Sequence, residues 1–315
     1  KRRTILAGAA WGIPAAAAVT AVTAGVATGV HAGRATSAPL PDIEERSLEE
    51  LYAAARREGR GLTVYAGGDT PDQQDGTLQA FMQAFPEVEL RMIVDYSKYH
   101  DVRIDRQLDE GDLIPDVTHL QTSHDFTRWK ALGALQQYRP AGWDQVHELL
   151  KDPEGYWVAG NVFAFSFVHG PSGGPASPRH LADPEWADGI VTSHPGDDDA
   201  TLFLYRAYVR EFGWEWLRSF AANRPVFRRG TNTPGEAVDA GIARVGVGTA
   251  GTGSNTQTWV QPADEPFLAW GQRAAILAQA SNPDAAKLYL NWLVSPEVQA
   301  QGWHGWGVRT DVVST

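Results

Sequence analysis

Between Ile190 and Phe220 the chain reads IVTSHPGDDDATLFLYRAYVREFGWEWLRSF, a stretch that few fold classes can accommodate. Ile190 to Ser193 is a short β-branched run. Pro195 and Gly196 then break the chain, and Asp197, Asp198 and Asp199 supply acceptor side chains where a helix needs an N-cap. Leu202, Tyr205, Ala207, Tyr208 and Phe212 follow at helical spacing. A strand therefore delivers a helix N-terminus to the end of a sheet. That junction leaves backbone N–H groups without intrahelical partners, and in open α/β sheets small ligands bind in the crevice beyond the strand C-termini. Capping the helix and favouring its positive end needs one or two of the three acids, so at least one is expected to face a ligand.

The rest of the chain repeats this alternation. Ser47 to Glu58 reads as a helix with a Ser-x-x-Glu capping box and a stop at Gly59. A strand follows at Leu62 to Asp69, a helix at Gln73 to Phe85 and a second strand at Val88 to Val94. Next come a helix capped by Ser97 and ended at Gly111, a strand at Asp116 to Gln121, and a helix capped by Ser123. Short connections of this kind argue a parallel sheet with right-handed crossovers. Trp157 to Val168 and Phe267 to Ala278 differ: each is a long apolar run suited to crossing from one sheet into another. Between them strand and helix alternate again, at Gly189 to Ser193, Pro225 to Phe227, a helix capped by Thr233, and Ala243 to Thr249. Helices opening at Asn282-Pro283 and Ser295-Pro296 close the chain. The expected architecture is α/β, two units joined by two extended crossings, with the second unit inserted into the first.

Lys1, Arg2 and Arg3 precede an uncharged Ala/Gly/Thr/Val tract from Thr4 to Val30, which reads as a twin-arginine-like export signal over residues 1–38. Its removal would leave 23 basic residues against 38 acidic ones, a net charge of −15. An acidic chain without a basic block is not expected to bind nucleic acid, and mean hydropathy of −0.31 argues against repeated membrane spans. The absence of Cys removes disulfides, thiolate metal sites and Cys nucleophiles.

Several motifs point elsewhere and fail. Gly246, Gly248 and Gly251 spell G-x-G-x-x-G, yet no amphipathic helix follows, so no dinucleotide is expected and the glycines are read as serving a sharp turn beside a cleft. His100, His119 and His124 with Asp69, Asp101 and Asp125 match no metal-ligand spacing, and neither a metal nor any other cofactor is expected. There is no G-x-S-x-G elbow or H-E-x-x-H pair, and Asp197 to Asp199 lie in one turn rather than opposed across a cleft. Of twelve tryptophans, Trp129, Trp214 and Trp292 fall on helix faces and read as core, whereas Phe165 and Trp270 lie on the crossings, where a ring could line the space between lobes.

From LTVYAGG through DYSKYHDVRID, PDVTHLQTSHDF, SHPGDDDATLFLY, PVFRRGTNTPGEAVDAG and NPDAAKLYLNWLVSPEVQ to WGVRTDV, the chain resembles the extracellular solute-binding proteins of ABC importers, type 2 topology, ferric-iron-type branch. The resemblance implies two lobes, residues 39–162 with 268–315 and residues 163–267, hinged by crossing strands around a ligand. It implies cleft loops at Gly67 to Thr70, Ser97 to His100, Gln121 to His124, near Ser166, at Asp197 to Thr201 and at Thr249 to Gly251. Ferric members use adjacent tyrosines near the loop that here reads GVGTAGTGSN, and there are none, so an Fe³⁺ site of that type is not expected. Relatives continue past the equivalent of WGVRTDV, which implies further residues beyond Thr315.

The candidate ligand-binding residues are accordingly Gly68, Asp69, Ser97, Lys98, His100, Gln121, Thr122, Ser166, Asp198, Asp199, Thr201, Thr249 and Trp270. Lys98 and His100 on one lobe and Asp198 and Asp199 on the other suggest a small polar solute with donors and acceptors, zwitterionic or hydroxylated. The expected protein is a periplasmic or extracellular monomer, without stable membrane insertion once the signal is removed, that hands its solute to a permease and ATPase. An exported lyase or hydrolase of a sugar acid on the same scaffold, or a ligand-sensing adaptor, are the competing expectations.

Overall fold

The computed structural model describes residues 39–59, 61–301 and 305–313, and the export signal expected over residues 1–38 lies outside them. Leu48–Glu58 forms α1, with the Ser47/Glu50 capping box present and Gly59 as its C-cap. Such a cap stabilises a helix by about 1 kcal/mol. Then follow β1 (Gly61–Gly67), α2 (Asp75–Ala84), β2 (Glu89–Asp95), α3 (Ser97–Glu110), β3 (Val117–Leu120) and α4 (Ser123–Ala131). The long apolar run becomes one strand, β4 (Val158–His169). Beyond it lie β5 (Ile190–Ser193), α5 (Asp199–Ala222), β6 (Val226–Arg228), α6 (Thr233–Asp239), β7 (Val245–Thr249), β8 (Thr258–Val260), β9 (Leu268–Ile276), α7 (Pro283–Leu293) and α8 (Pro296–Gln301).

The strands join in the order β2-β1-β3-β9-β4-β7-β5-β6, with β8 also on β4. The outer triplets are parallel, β2 with β1 and β3 on one side and β7 with β5 and β6 on the other. β9 and β4 run antiparallel to their neighbours and to each other, from Val158↔Ala274 to Phe165↔Leu268. β4 then leaves β9 and continues from Ser166 to His169 against β7. One strand thus belongs to both lobes, and its pairing register slips twice, between Ala159 and Asn161 and between Ser166 and Phe167. A bulge bends a strand locally, which suits a crossing segment.

Apolar side chains sort to either side of the crossing. Leu51, Val64, Phe81, Ile276, Tyr289 and Trp292 pack in one cluster; Phe167, Leu204, Tyr208, Trp216, Phe220 and Val247 pack in another. Each such burial contributes roughly 1.5–3 kcal/mol.

Local expectations failed where a residue found a distant partner or a helix changed phase. Ser97 and Thr233 lie inside their helices, behind Tyr96 and Asn232, and Ser123 follows Thr122; none of these three N-caps bonds through its side chain. Trp214 is 67% exposed, against the core position expected. Gly213, at φ 83° and ψ 170°, interrupts α5, so the helical phase restarts and Trp216 takes the inward position. Gly246 and Gly248 belong to β7, and the chain runs from there to β8 without a helix. A Cβ on Gly246 would meet the Pro234 carbonyl at 2.5 Å, a packing reason for that glycine.

Candidate functional site

The C-terminal ends of β1, β2, β3, β5 and β6 face a common gap, and each hands the chain to a polar turn. After β1, Gly67 and Gly68 let the backbone run beside the Ser97 hydroxyl and the Val94 side chain, positions where any Cβ would collide. Ser97 opens α3 and accepts a hydrogen bond from the Gln121 N–H at 3.2 Å, fastening the start of α3 to the end of β3. Asp69 is held by its backbone N–H, which donates to Gln73 Oε1. From the other lobe, the turn after β6 brings Thr231 and Asn232 up to Asp69.

Between these turns and the crossing strands lies a cavity of about 60 Å³. Its walls are Gly67, Gly68, Asp69, Gln73, Tyr96, Ser97 and Gln121 from one lobe and Thr231, Asn232 and Ala250 from the other. Phe163, Phe165, Trp270 and Gln272 on β4 and β9 form the floor. At about 10–15 Å³ per water, the space holds roughly four to six waters. A molecule larger than that fits only when the walls stand further apart.

The lobes are fastened by polar bonds at the rim. Asp69 Oδ2 accepts from the Thr231 N–H, from Thr231 Oγ1 at 2.8 Å and from the Asn232 N–H at 3.3 Å. Lys98 Nζ donates to the Asp197 carbonyl at 2.7 Å and to Asp197 Oδ1 at 2.8 Å. Arg229 binds the same carboxylate and also donates to the Tyr99 hydroxyl at 3.2 Å across the gap. The Arg229 guanidinium, followed by Lys98, holds the Asp197 carboxyl below the usual range. Gln121 Nε2 donates to Asp198 Oδ2 at 2.6 Å and to Asp199 Oδ1 at 3.0 Å.

The thirteen residues singled out from the sequence divide three ways. Gly68, Asp69, Ser97, Gln121 and Trp270 line the cavity. Lys98, Asp198 and Asp199 join lobe to lobe; Asp198 is also the N-cap of α5, accepting from the Thr201 N–H at 2.6 Å, and burial raises its pKa. His100, Thr122, Ser166, Thr201 and Thr249 are buried and are not among the residues that line the cavity. The His100 ring lies 4.6 Å from that of Tyr65, tilted by 30°, and burial together with neighbouring Arg103 lowers its pKa to about 4, so it is neutral at pH 7. Thr249 Oγ1 accepts from the Gly251 N–H at 3.0 Å and shapes the turn behind Ala250.

Ala250 falls in the cleft loop expected at Thr249 to Gly251, while Gln73, Tyr96, Phe163, Thr231, Asn232 and Gln272 complete the cavity without having been singled out. Thr231 and Asn232 obey the rule that placed the others, since they follow the C-terminal end of β6. One group of metal-ligating side chains is found among the described residues: Asp101, His124 and Asp125 bring ligand atoms within 4.8 Å of one another. Arg128 already bonds Asp101 Oδ1 at 2.7 Å and Asp125 Oδ1 at 3.2 Å. A second cavity, of about 40 Å³, lies behind the crossing between Gly160, Leu293 and Trp306. No helix among the described residues is long and apolar enough to cross a membrane.

Residues 112–237 match the bacterial extracellular solute-binding protein family. No curated protein matches the sequence. Solved structures do match the fold. The substrate-binding protein of an ABC transporter from Agrobacterium tumefaciens superposes with a TM-score of 0.70 at 18% identity, over 81% of this chain and 81% of that one. The fructose-6-phosphate-bound binding protein AfuA from Actinobacillus pleuropneumoniae gives 0.67 at 20%, over 81% and 87%. Iron-bound HitA from Pseudomonas aeruginosa gives 0.64 at 17%, over 81% and 88%. These are binding proteins, not enzymes. The fold is the two-lobed periplasmic-binding fold, and it and the family match together bear out the resemblance drawn from the sequence, to the extracellular solute-binding proteins of ABC importers in the ferric-iron-type branch.

Proposed function

We propose that this chain is the extracytoplasmic solute-binding subunit of an ABC importer, a periplasmic or extracellular monomer that captures a small polar solute between its lobes and delivers it to a membrane permease driven by an ATPase. The lobes are taken as residues 39–162 with 268–315 and residues 163–267, and residues 1–38 as the export signal. The observation that carries this reading is the cavity itself, walled by turns of both lobes and floored by the two strands that join them. Such a site is complete only when the lobes are together, so a solute that touches both favours closure by its differential affinity for the closed form. The cavity lining contains one carboxylate, Asp69, and no second acid opposite it, which leaves acid–base hydrolysis without a partner group.

Native mass spectrometry of freshly purified protein, with X-ray scattering before and after removal of any bound solute, tests the proposal. A co-purifying small molecule whose removal raises the radius of gyration is the expected result. A particle whose dimensions ignore every solute supplied, with none retained on purification, would sink the reading.

A further inference from the structure

The cleft has spent its positive charge on the chain itself. Lys98 and Arg229, the cations at its mouth, are bonded to Asp197. Arg103 is bonded to Asp95, and Arg273 donates to the Ser123 carbonyl while lying 3.7 Å over the Trp157 ring. His100 is neutral at pH 7, and the cavity lining includes no Lys, Arg or His. The lining's single carboxylate is likewise engaged, because Asp69 Oδ2 takes three donors from Thr231 and Asn232. Arg228, at the end of β6, donates to the Phe227 carbonyl. The other polar side chains of the lining are neutral.

Trp270 supplies the deciding feature. It lies on the cavity floor, with Phe165 edge-on at 4.8 Å and Phe163 at 5.7 Å, so its ring is fixed. Its indole N–H is buried and has no hydrogen-bond partner. A buried donor without an acceptor costs about 1–3 kcal/mol, which a ligand oxygen placed against it would recover. An ammonium group has no lone pair to offer. A phosphate or carboxylate has, but would bring a negative charge beside Asp69 with no free cation to offset it. A hydroxyl group accepts from the indole and donates its single proton to one of the side-chain amide oxygens that Gln73, Gln121, Asn232 and Gln272 bring to the lining, while its carbon skeleton packs on the aromatic floor.

We infer that the solute is a small uncharged polyhydroxy compound, a polyol or free monosaccharide, with one of its oxygens bonded to Trp270 Nε1. This rests on the solute-binding reading above. Fructose 6-phosphate and iron, each bound by a protein of the same fold, suit this neutral lining less well by the same charge accounting.

The test is titration calorimetry on the full purified chain with two sets of probes. The neutral set is glycerol, xylitol, ribose, glucose and fructose; the charged set is fructose 6-phosphate, gluconate, putrescine and ferric nitrilotriacetate. Heat with at least one neutral probe is expected, with its phosphate ester or acid at least tenfold weaker. Trp270→Phe keeps the ring and removes the donor, and should weaken the neutral probe about tenfold with the unfolding midpoint unchanged. Tighter binding of a charged probe, binding by no neutral probe, or equal affinity in Trp270→Phe overturns the inference. A charged probe that binds and closes the lobes would leave the solute-binding reading intact. Silence toward both sets, with no solute retained on purification, would count against both.

Discussion

Asp69→Ala should release one lobe from the other without unfolding either. Three donors from the far lobe converge on Asp69 Oδ2, the Thr231 N–H, Thr231 Oγ1 and the Asn232 N–H, so the substitution removes a complete contact at one stroke. A hydrogen bond to a charged group contributes about 1.5–3 kcal/mol net. Three on one oxygen are not additive, and a total of about 2–3 kcal/mol converts, at 1.4 kcal/mol per decade, to a shift of roughly 30- to 150-fold toward the open form. The donors left behind regain water once the lobes part, so the cost falls on closure and not on folding. Because the chain has no Cys, spin labels can be placed at Leu132→Cys and Ile242→Cys, exposed to 68% and 76% and lying one on each lobe. Pulsed electron–electron distance measurement on the ligand-free protein should show the short-distance population of the parent replaced by a longer one in Asp69→Ala, and retained in the exposed control Asp72→Asn. Identical distance distributions in parent and Asp69→Ala would refute the reasoning, because the bonds would then contribute nothing to holding the lobes.

Other perturbations test the interior. Burial, and then the Asp125 carboxylate, raise the Asp101 pKa from 3.8 to about 6, despite its bond to Arg128, which is shared with Asp105 and Asp125. The folded state therefore holds a proton between those values that the unfolded state lacks, and the penalty is complete above pH 6 and relieved as pH falls toward 3.8. Asp101→Asn should stabilise the protein at pH 7.5 by about 1–2 kcal/mol after allowance for screening, and by much less at pH 4.5, read from urea midpoints. Phe167→Ala, which empties a fully buried position on the crossing strand, should cost about 3–5 kcal/mol in the same assay. Gly160→Ala places a Cβ 2.7 Å from Leu293 Cδ2 and should cost about 1–3 kcal/mol, whereas Gly76→Ala in α2, with nothing within 4 Å, should gain up to about 1 kcal/mol.

How much of this was legible in the sequence depended on whether the deciding partner was near in the chain. The Ser47/Glu50 box and the Gly111 stop, at φ 70°, are made within one turn of helix, and the residues alone give them away. β4 and β9 were visible because each is a long run dominated by apolar and aromatic residues, β4 largely buried along its length and β9 buried toward its C-terminal end. β8, three residues long, carries no period to detect. Ser97 misled for a physical reason: a serine at the start of a helix is usually a cap, but this one bonds Gln121, twenty-four residues away, and a tertiary bond won over a local one. Trp214 misled because a helical wheel assumes a continuous helix, and Gly213 ends that continuity.

The aspartate turn carries the same lesson into function. Its chemistry, three acids before a helix, says that at most two are needed by the helix and leaves the remainder to find another use. Here the uses are Lys98 and Arg229 for Asp197 and Gln121 for Asp198 and Asp199, and every one of those contacts except Arg229 comes from the opposite lobe. The surplus charge thus joins one lobe to the other. The apolar clusters keep to one side of the crossing or the other, while the bonds between lobes at the rim are hydrogen bonds and ion pairs that water can replace. Parting the lobes exchanges those bonds for bonds to water, so a molecule that touches both lobes and is bound better when they are together favours closure.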